Sequence, residues 1–348
     1  ASADDGVAIV MADVETLVVK PESANQVDLN LAGLSMTAAG ATMAVNFIGA
    51  NDVELVGMGA DVTTIDASGM STGGAVVQTG RSATAASTYT GSSGSDTFIM
   101  RNAGDVLAAG AGTDTLDINF DAILGGVNVD LSSTTNQIVS MNGSAPTGTV
   151  TGFENVDASG YTGNSGAQIT AVATGSTITG TANVDAITLG AASDIVNATD
   201  AVATATSVNV DVITGFTAGA TTTDNIKLSL ADIKGLTAVT DLIDGNAASV
   251  GQGDTIVVET VVKGTPETLA AGDNVIAVTG GTYTNLAAVL TDLESGGTTD
   301  ITLASAPTAK DAFIIIWSDG TDAYVSVAAT DDTNAAIATD DLVGFNLV

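Results

Sequence analysis

The chain has 348 residues, with 7 lysines and arginines against 40 aspartates and glutamates, a formal net charge of −33. Such a surface repels nucleic acid and anionic lipid, which excludes both as partners. Hydrophobic residues still make up 45% of the chain and mean hydropathy is +0.38, so it is not an acidic disordered tail.

Cysteine and histidine are absent. That removes disulfide staples, the commonest general base and every Ser–His or Cys–His nucleophile. No apolar run reaches the roughly 20 residues of a membrane span. Aromatics are only 3%, and the abundant small and β-branched residues suit thin stacked β-layers rather than a thick core.

Residues 1–90 read as short strands between polar turns: Val14 to Val19, Val27 to Leu31, Met43 to Ile48, Val53 to Val56 and Val62 to Ile65. Apolar residues alternate there with Thr, Asn, Asp or Glu, a period of two, and glycine marks the corners. Close spacing without helical pattern predicts a β-solenoid segment.

From Gly91 the chain reads in nines: GSSGSDTFI, MRNAGDVLA, AGAGTDTLD. Asp96, Asp105 and Asp114 fall at position six, and Phe98, Leu107 and Leu116 at position eight. A nine-residue period winds a parallel β-roll, six residues to the turn and three to the strand, with position eight pointing inward. Aspartates stacked in such turns repel and call for a cation between them. Hard oxygen donors favour Ca²⁺. The small turn residues Gly91, Ser93, Gly94, Gly110 and Gly112 let backbone carbonyls reach the same ion. Arg101 puts a cation in the middle unit, which predicts incomplete occupancy there.

The chain repeats itself. TIDASGMSTGGAVVQTG from Thr64 matches NVDASGYTGNSGAQIT from Asn155, with Asp66 and Asp157 equivalent and 91 residues apart. A second array follows, GTANVDAIT and LGAASDIVN, with Asp185 and Asp194 at position six. Asn183 and Ala192 replace glycine at position four, which weakens this array as a calcium site.

The nonapeptides resemble the GGxGxDxUx repeats of RTX proteins, calcium-dependent proteins exported by type I secretion. The stretch from Asp211 to Ile233 is similar to the close of an RTX roll, through Asp211, Ile213, Phe216, Asp224, Ile226, Leu228 and Ser229. That likeness adds Asp211 and Asp224 to the expected calcium ligands. Residues 91–229 are thus expected to form an RTX-like roll, and 230–348 a β-rich domain with a short helix.

In that last third, Leu286, Val289, Leu290 and Leu293 recur at helical spacing within Asn285 to Glu294, and Gly296 stops the helix. Phe313 to Trp317, the turn SDGTD and Tyr324 to Val327 predict a hairpin whose first strand is buried on both faces. Trp317 is expected in the core rather than as a sugar platform. Residues 331–348 resemble the C-terminal signals of type I substrates, which implies export without an N-terminal signal peptide.

No HExxH, P-loop or helix-opening GxGxxG occurs. Paired carboxylates of the glycosidase kind carry no information where aspartate is so frequent. A calcium-dependent polysaccharide lyase needs a basic residue beside its metal, and only Arg81 and Arg101 supply an arginine. An enzyme is not expected.

The VETLVV segment at Val14, the two DASG segments and the arrays resemble the C-terminal part of RTX-type bacterial surface-layer proteins. The resemblance implies an all-β solenoid that binds calcium outside the cell and assembles with itself into a cell-surface lattice or filament. Cell-surface polysaccharide is a further partner that it suggests. The alternatives are a secreted adhesin or biofilm-matrix protein of the same build, and a calcium-dependent carbohydrate-active enzyme.

Overall fold

The computed structural model describes residues 7–22, 26–71, 74–79, 86–120, 125–198, 203–204, 211–217, 223–228, 233, 239–251, 254–331, 337 and 342–346. Arg81, Ser229 and most of the 331–348 segment lie outside them. The chain divides into two compact units: residues 1–196 with 213–225, and residues 197–212 with 226–348.

In the first unit, Phe98, Leu107, Leu116, Ile187 and Val196, the eighth residues of their nonapeptides, are all buried in one continuous core. Apolar residues recurring at position eight must meet on one axis, and two sheets close around it. The first face runs Val7–Ala12, Val27–Ser35, Val53–Met58, Val76–Gln78, Thr97–Met100, Thr115–Ile118, Asn155–Asp157, Thr177–Thr179, Ile195–Ala198 and Asn225–Leu228. The opposite face begins with Thr16–Val19, Met43–Gly49, Val62–Met70, Thr88–Thr90, Val106–Ala108 and Val150–Thr151. It continues as a separate sheet of Val127–Asp130, Gln168–Thr170, Ala186–Thr188 and Val212–Thr214, with Ile138–Met141 antiparallel on Val127–Asp130. The chain alternates between the two faces, so the strands stack in parallel. All five strands expected before residue 90 form, each overlapping its predicted span.

Two nonapeptides make one coil. Thr97 pairs with Thr115 and Thr88 with Val106, and equivalent turn residues lie 18 apart. Before residue 90 the same roll uses wider coils: bonded turn residues lie 24, 23 and 20 apart. Both sheets cross residue 90 without a break, so what changes there is coil length rather than domain.

The internal repeat spans three and a half coils, which sends equivalent residues to opposite faces. Asp66 lies within Val62–Met70 on the second face, whereas Asp157 ends Asn155–Asp157 on the first. Both still cap the same local turn, accepting the amides of Ser68 and Ser159 at 2.9 Å. The first DASG belongs to a strand, Val62–Met70.

The second unit is built on Val257–Val262, Asp273–Thr279 and Asp311–Ser318, three parallel strands. Glu267–Leu269 and Ile301–Leu303 pair as a second parallel ladder. Between Asp273–Thr279 and Ile301–Leu303 runs the predicted helix, α1 (Leu286–Leu293), buried through Leu286, Val289, Leu290 and Leu293. Asn285 caps it by accepting the amide of Ala288 at 2.9 Å. The hairpin of Asp311–Ser318 and Ala323–Thr330 forms as expected, and Leu342–Asn346 adds a further antiparallel strand. Trp317 is buried, stacks on Tyr324 at 4.3 Å and donates to Ser326 Oγ at 2.9 Å.

Candidate metal centre

Turns end on an aspartate just before a strand at Asp96, Asp105, Asp114, Asp185, Asp194 and Asp224. All six are buried. The first three do not form one stack. Asp96 and Asp114 precede strands of the first face and Asp105 one of the second, so they line opposite edges of the roll. Asp194 and Asp224 share the edge of Asp96, and Asp185 precedes a strand of the other face.

The carboxylates serve first as amide acceptors. Asp105 accepts Ser87 N–H on Oδ1 at 2.8 Å and Arg101 and Asn102 N–H on Oδ2 at 3.0 and 2.9 Å. Asp185 takes Ala167 N–H on Oδ1, and Thr181 N–H on Oδ2 at 2.6 Å. Asp194 takes Ser176 and Gly190 N–H at 2.6 and 2.8 Å. Asp224 takes Asp194 and Thr217 N–H at 2.8 and 2.7 Å. Asp96 takes Val76 and Ser92 N–H at 2.5 and 2.6 Å. In each case one oxygen binds the aspartate's own turn and the other binds the preceding coil. These amides do at five positions what a cation was expected to do: they offset buried negative charge.

Asp114 differs. Its Oδ1 accepts Asp96 N–H at 2.7 Å. Its Oδ2 is the one buried side-chain oxygen or nitrogen among the described residues that lacks a hydrogen-bond partner. Its own amide donates to Glu154 Oε2 at 2.8 Å, 40 residues along the chain. Burial first, and then the charges of Asp96 and Glu154, push the Asp114 carboxyl up to about 7 against the pull of the Asp96 amide. Burial also raises Asp96, Asp185 and Asp194.

Of these aspartates Asp114 alone has a carboxylate oxygen left to give a hard cation. Asp96, Asp105, Asp185, Asp194 and Asp224 have both oxygens in use. Among the described residues no three acidic side chains converge on one metal-sized point, so any ion at Asp114 takes most of its ligands from carbonyls or water.

The small residues serve coil stacking. A Cβ on Gly91 would lie 1.6 Å from Ala109 O, and one on Gly94 2.5 Å from Gly74 O. Gly110 and Gly112 adopt φ of +109° and +144°, and a Cβ on either would meet Ser92 O or Gly94 O at 2.1–2.2 Å. Ser93 is exposed. The turn instead uses Ser92, whose hydroxyl bonds Gly74 O at 2.5 Å and whose amide bonds Asp96. Asp211 is half-buried before Val212–Thr214. Arg101 Nε donates to Asn119 O at 3.2 Å.

Three acids escaped the sequence reading. Glu154 follows a long excursion through Val127–Asp130 and Ile138–Met141, so no period leads to it. Asp273 and Asp311 repeat the own-turn half of the device in the second unit, accepting Ala270 and Thr308 N–H at 2.6 and 2.5 Å. Both open apolar strands, the one signal that marks them. No family model, no curated protein and no solved structure matches the chain.

Proposed function

We propose that this chain is a structural, extracellular protein that binds Ca²⁺ in its roll and assembles with itself into a cell-surface lattice or filament. One observation carries the calcium reading: a fully buried carboxylate oxygen, Asp114 Oδ2, without a hydrogen-bond partner, beside Asp96 and Glu154. A buried acceptor left unmade costs about 1–3 kcal/mol, more when charged. A divalent cation removes that cost and the mutual repulsion together. The roll supports the assembly reading, because stacked coils give an elongated, regular body. At −33, copies repel one another until cations neutralise them.

Calcium titration of protein stripped with EDTA tests both parts. Circular dichroism reports folding and light scattering reports assembly. The expected result is a gain in thermal stability with half-saturation near 10⁻⁴–10⁻³ M, the range of extracellular calcium modules, lost in Asp114→Asn, and growth of particles over the same range. An unchanged melting temperature and unchanged scattering at 10 mM calcium would overturn the proposal.

A further inference from the structure

The seven-stranded sheet of the second unit ends on Val257–Val262. On its inner side Val258, Thr260 and Val262 lie beside Val275, Ala277 and Thr279 in parallel register. Lys263 N–H bonds Thr279 O. Bonding alternates along a strand, so residues 259 and 261 also point inward, and the N–H groups of Val258, Thr260 and Val262 and the C=O groups of Val258 and Thr260 point out, while Val262 O accepts Thr265 N–H at 2.9 Å. Among the described residues no strand takes them up.

The side chains on this strand are as open as its backbone. Ile256, Val258 and Val262 are 58%, 51% and 46% exposed, while Val261 on the other side is buried. Protected edges carry lysine, proline or bulges that block pairing. From Ile256 to Val262 there is no lysine, arginine or proline. The single register shift lies at the strand's start, between Val257 and Val258, and leaves the rest regular.

We propose that this edge pairs antiparallel with the same edge of a second copy, about a two-fold axis through Thr260. The inference rests on the self-assembly reading and names one contact that assembly would use. Two features select a second copy. First, the strand is self-complementary at its centre: with Thr260 opposite Thr260 of the partner copy, Val258 meets the partner's Val262 and the reverse, so β-branched residues face each other at 258, 260 and 262. In an isologous contact each such pair occurs twice, so one favourable pairing counts double. Second, residues 255–262 carry one charge, Glu259, on a chain of net −33. Glu259 would oppose Val261 of the partner copy, not a like charge. The strand is thus a place where two such acidic molecules can meet.

The chain has no cysteine, so a single introduced thiol reports the contact. Thr260→Cys in the full chain, treated with a short bis-maleimide at millimolar calcium, should give a covalent dimer. Val18→Cys, at a site 57% exposed on another strand, should give at least ten-fold less. Adding Val258→Lys and Val262→Lys to Thr260→Cys should abolish the dimer, with an unchanged circular dichroism spectrum. Equal crosslinking at residues 18 and 260 would overturn the proposal, as would a dimer that survives both lysines. No dimer while calcium still drives particle growth would sink this contact and leave the assembly reading standing. No dimer and no particles would sink both.

Discussion

Asp185, expected as a calcium ligand, also staples neighbouring coils. Its oxygens hold Ala167 N–H from the coil before and Thr181 N–H from its own turn, and Thr181 Oγ1 donates to it at 2.8 Å. Asp185→Ala leaves two buried amides unmet, so it should cost about 2–4 kcal/mol in calcium-free denaturant unfolding. A ligand role alone predicts no loss without calcium. A different acid sets a pH dependence. Burial, then the neighbouring charge of Asp157, raises Asp117 to about 6 from its ordinary 3.8, with Arg101 pulling the other way. A carboxyl raised by folding contributes stability that is complete below the unfolded value and is lost as pH rises through the folded one. Asp117→Asn should therefore be more stable than wild type at pH 8. That difference should shrink as pH falls through 6 and vanish below about 4, as read from paired melting curves without calcium.

At the scale of strand, turn and helix, periodic features were legible and close approaches were not. Apolar residues at position eight, the i, i+3, i+4 pattern of α1 and the Asp-Gly turn of the hairpin all act through neighbours in sequence, so spacing reveals them. Burial of the position-six aspartates and the role of Ser92 arise between coils, where the neighbour is 18 or more residues away. The half-coil in the repeat length hid the split of Asp96 and Asp105 between two edges, because a period read along the chain says nothing about which face a strand joins. Glycine gave a mixed signal. Gly91 reads as a permissive turn residue, but its Cα has no room for a Cβ beside Ala109 O at 1.6 Å. Gly91→Ala forces two backbone segments apart and should cost about 3 kcal/mol. Gly40→Ala meets nothing within 4 Å and bears only its φ of +78°, for a cost of about 1 kcal/mol. Comparing the two by thermal unfolding separates coil packing from turn strain.

For the molecule as a whole, the roll is a one-dimensional stack in which each coil depends mainly on its neighbours. Its length is then adjustable, but only in whole coils. Removing residues 97–114 joins Asp96 to Thr115, as Asp114 is joined now. The aspartate before Thr115 still reaches Glu154, position eight still points inward at Leu116, and each later strand keeps its face. The shortened chain should keep its β-signal and unfold in one transition at lower temperature, having lost one coil of buried core. Removing residues 97–110, a length that is not a multiple of nine, puts Ala111 after Asp96 and moves each later apolar residue out of phase with the stack. Those side chains would turn toward solvent, and the roll beyond Asp96 should fail to form. If both deletions unfolded alike, coils would not be interchangeable units, and the stability of the roll would lie in contacts specific to Phe98, Met100 and Leu107. If the 18-residue deletion folds and the 14-residue one does not, register along the stack, rather than chain length alone, decides whether the later strands form.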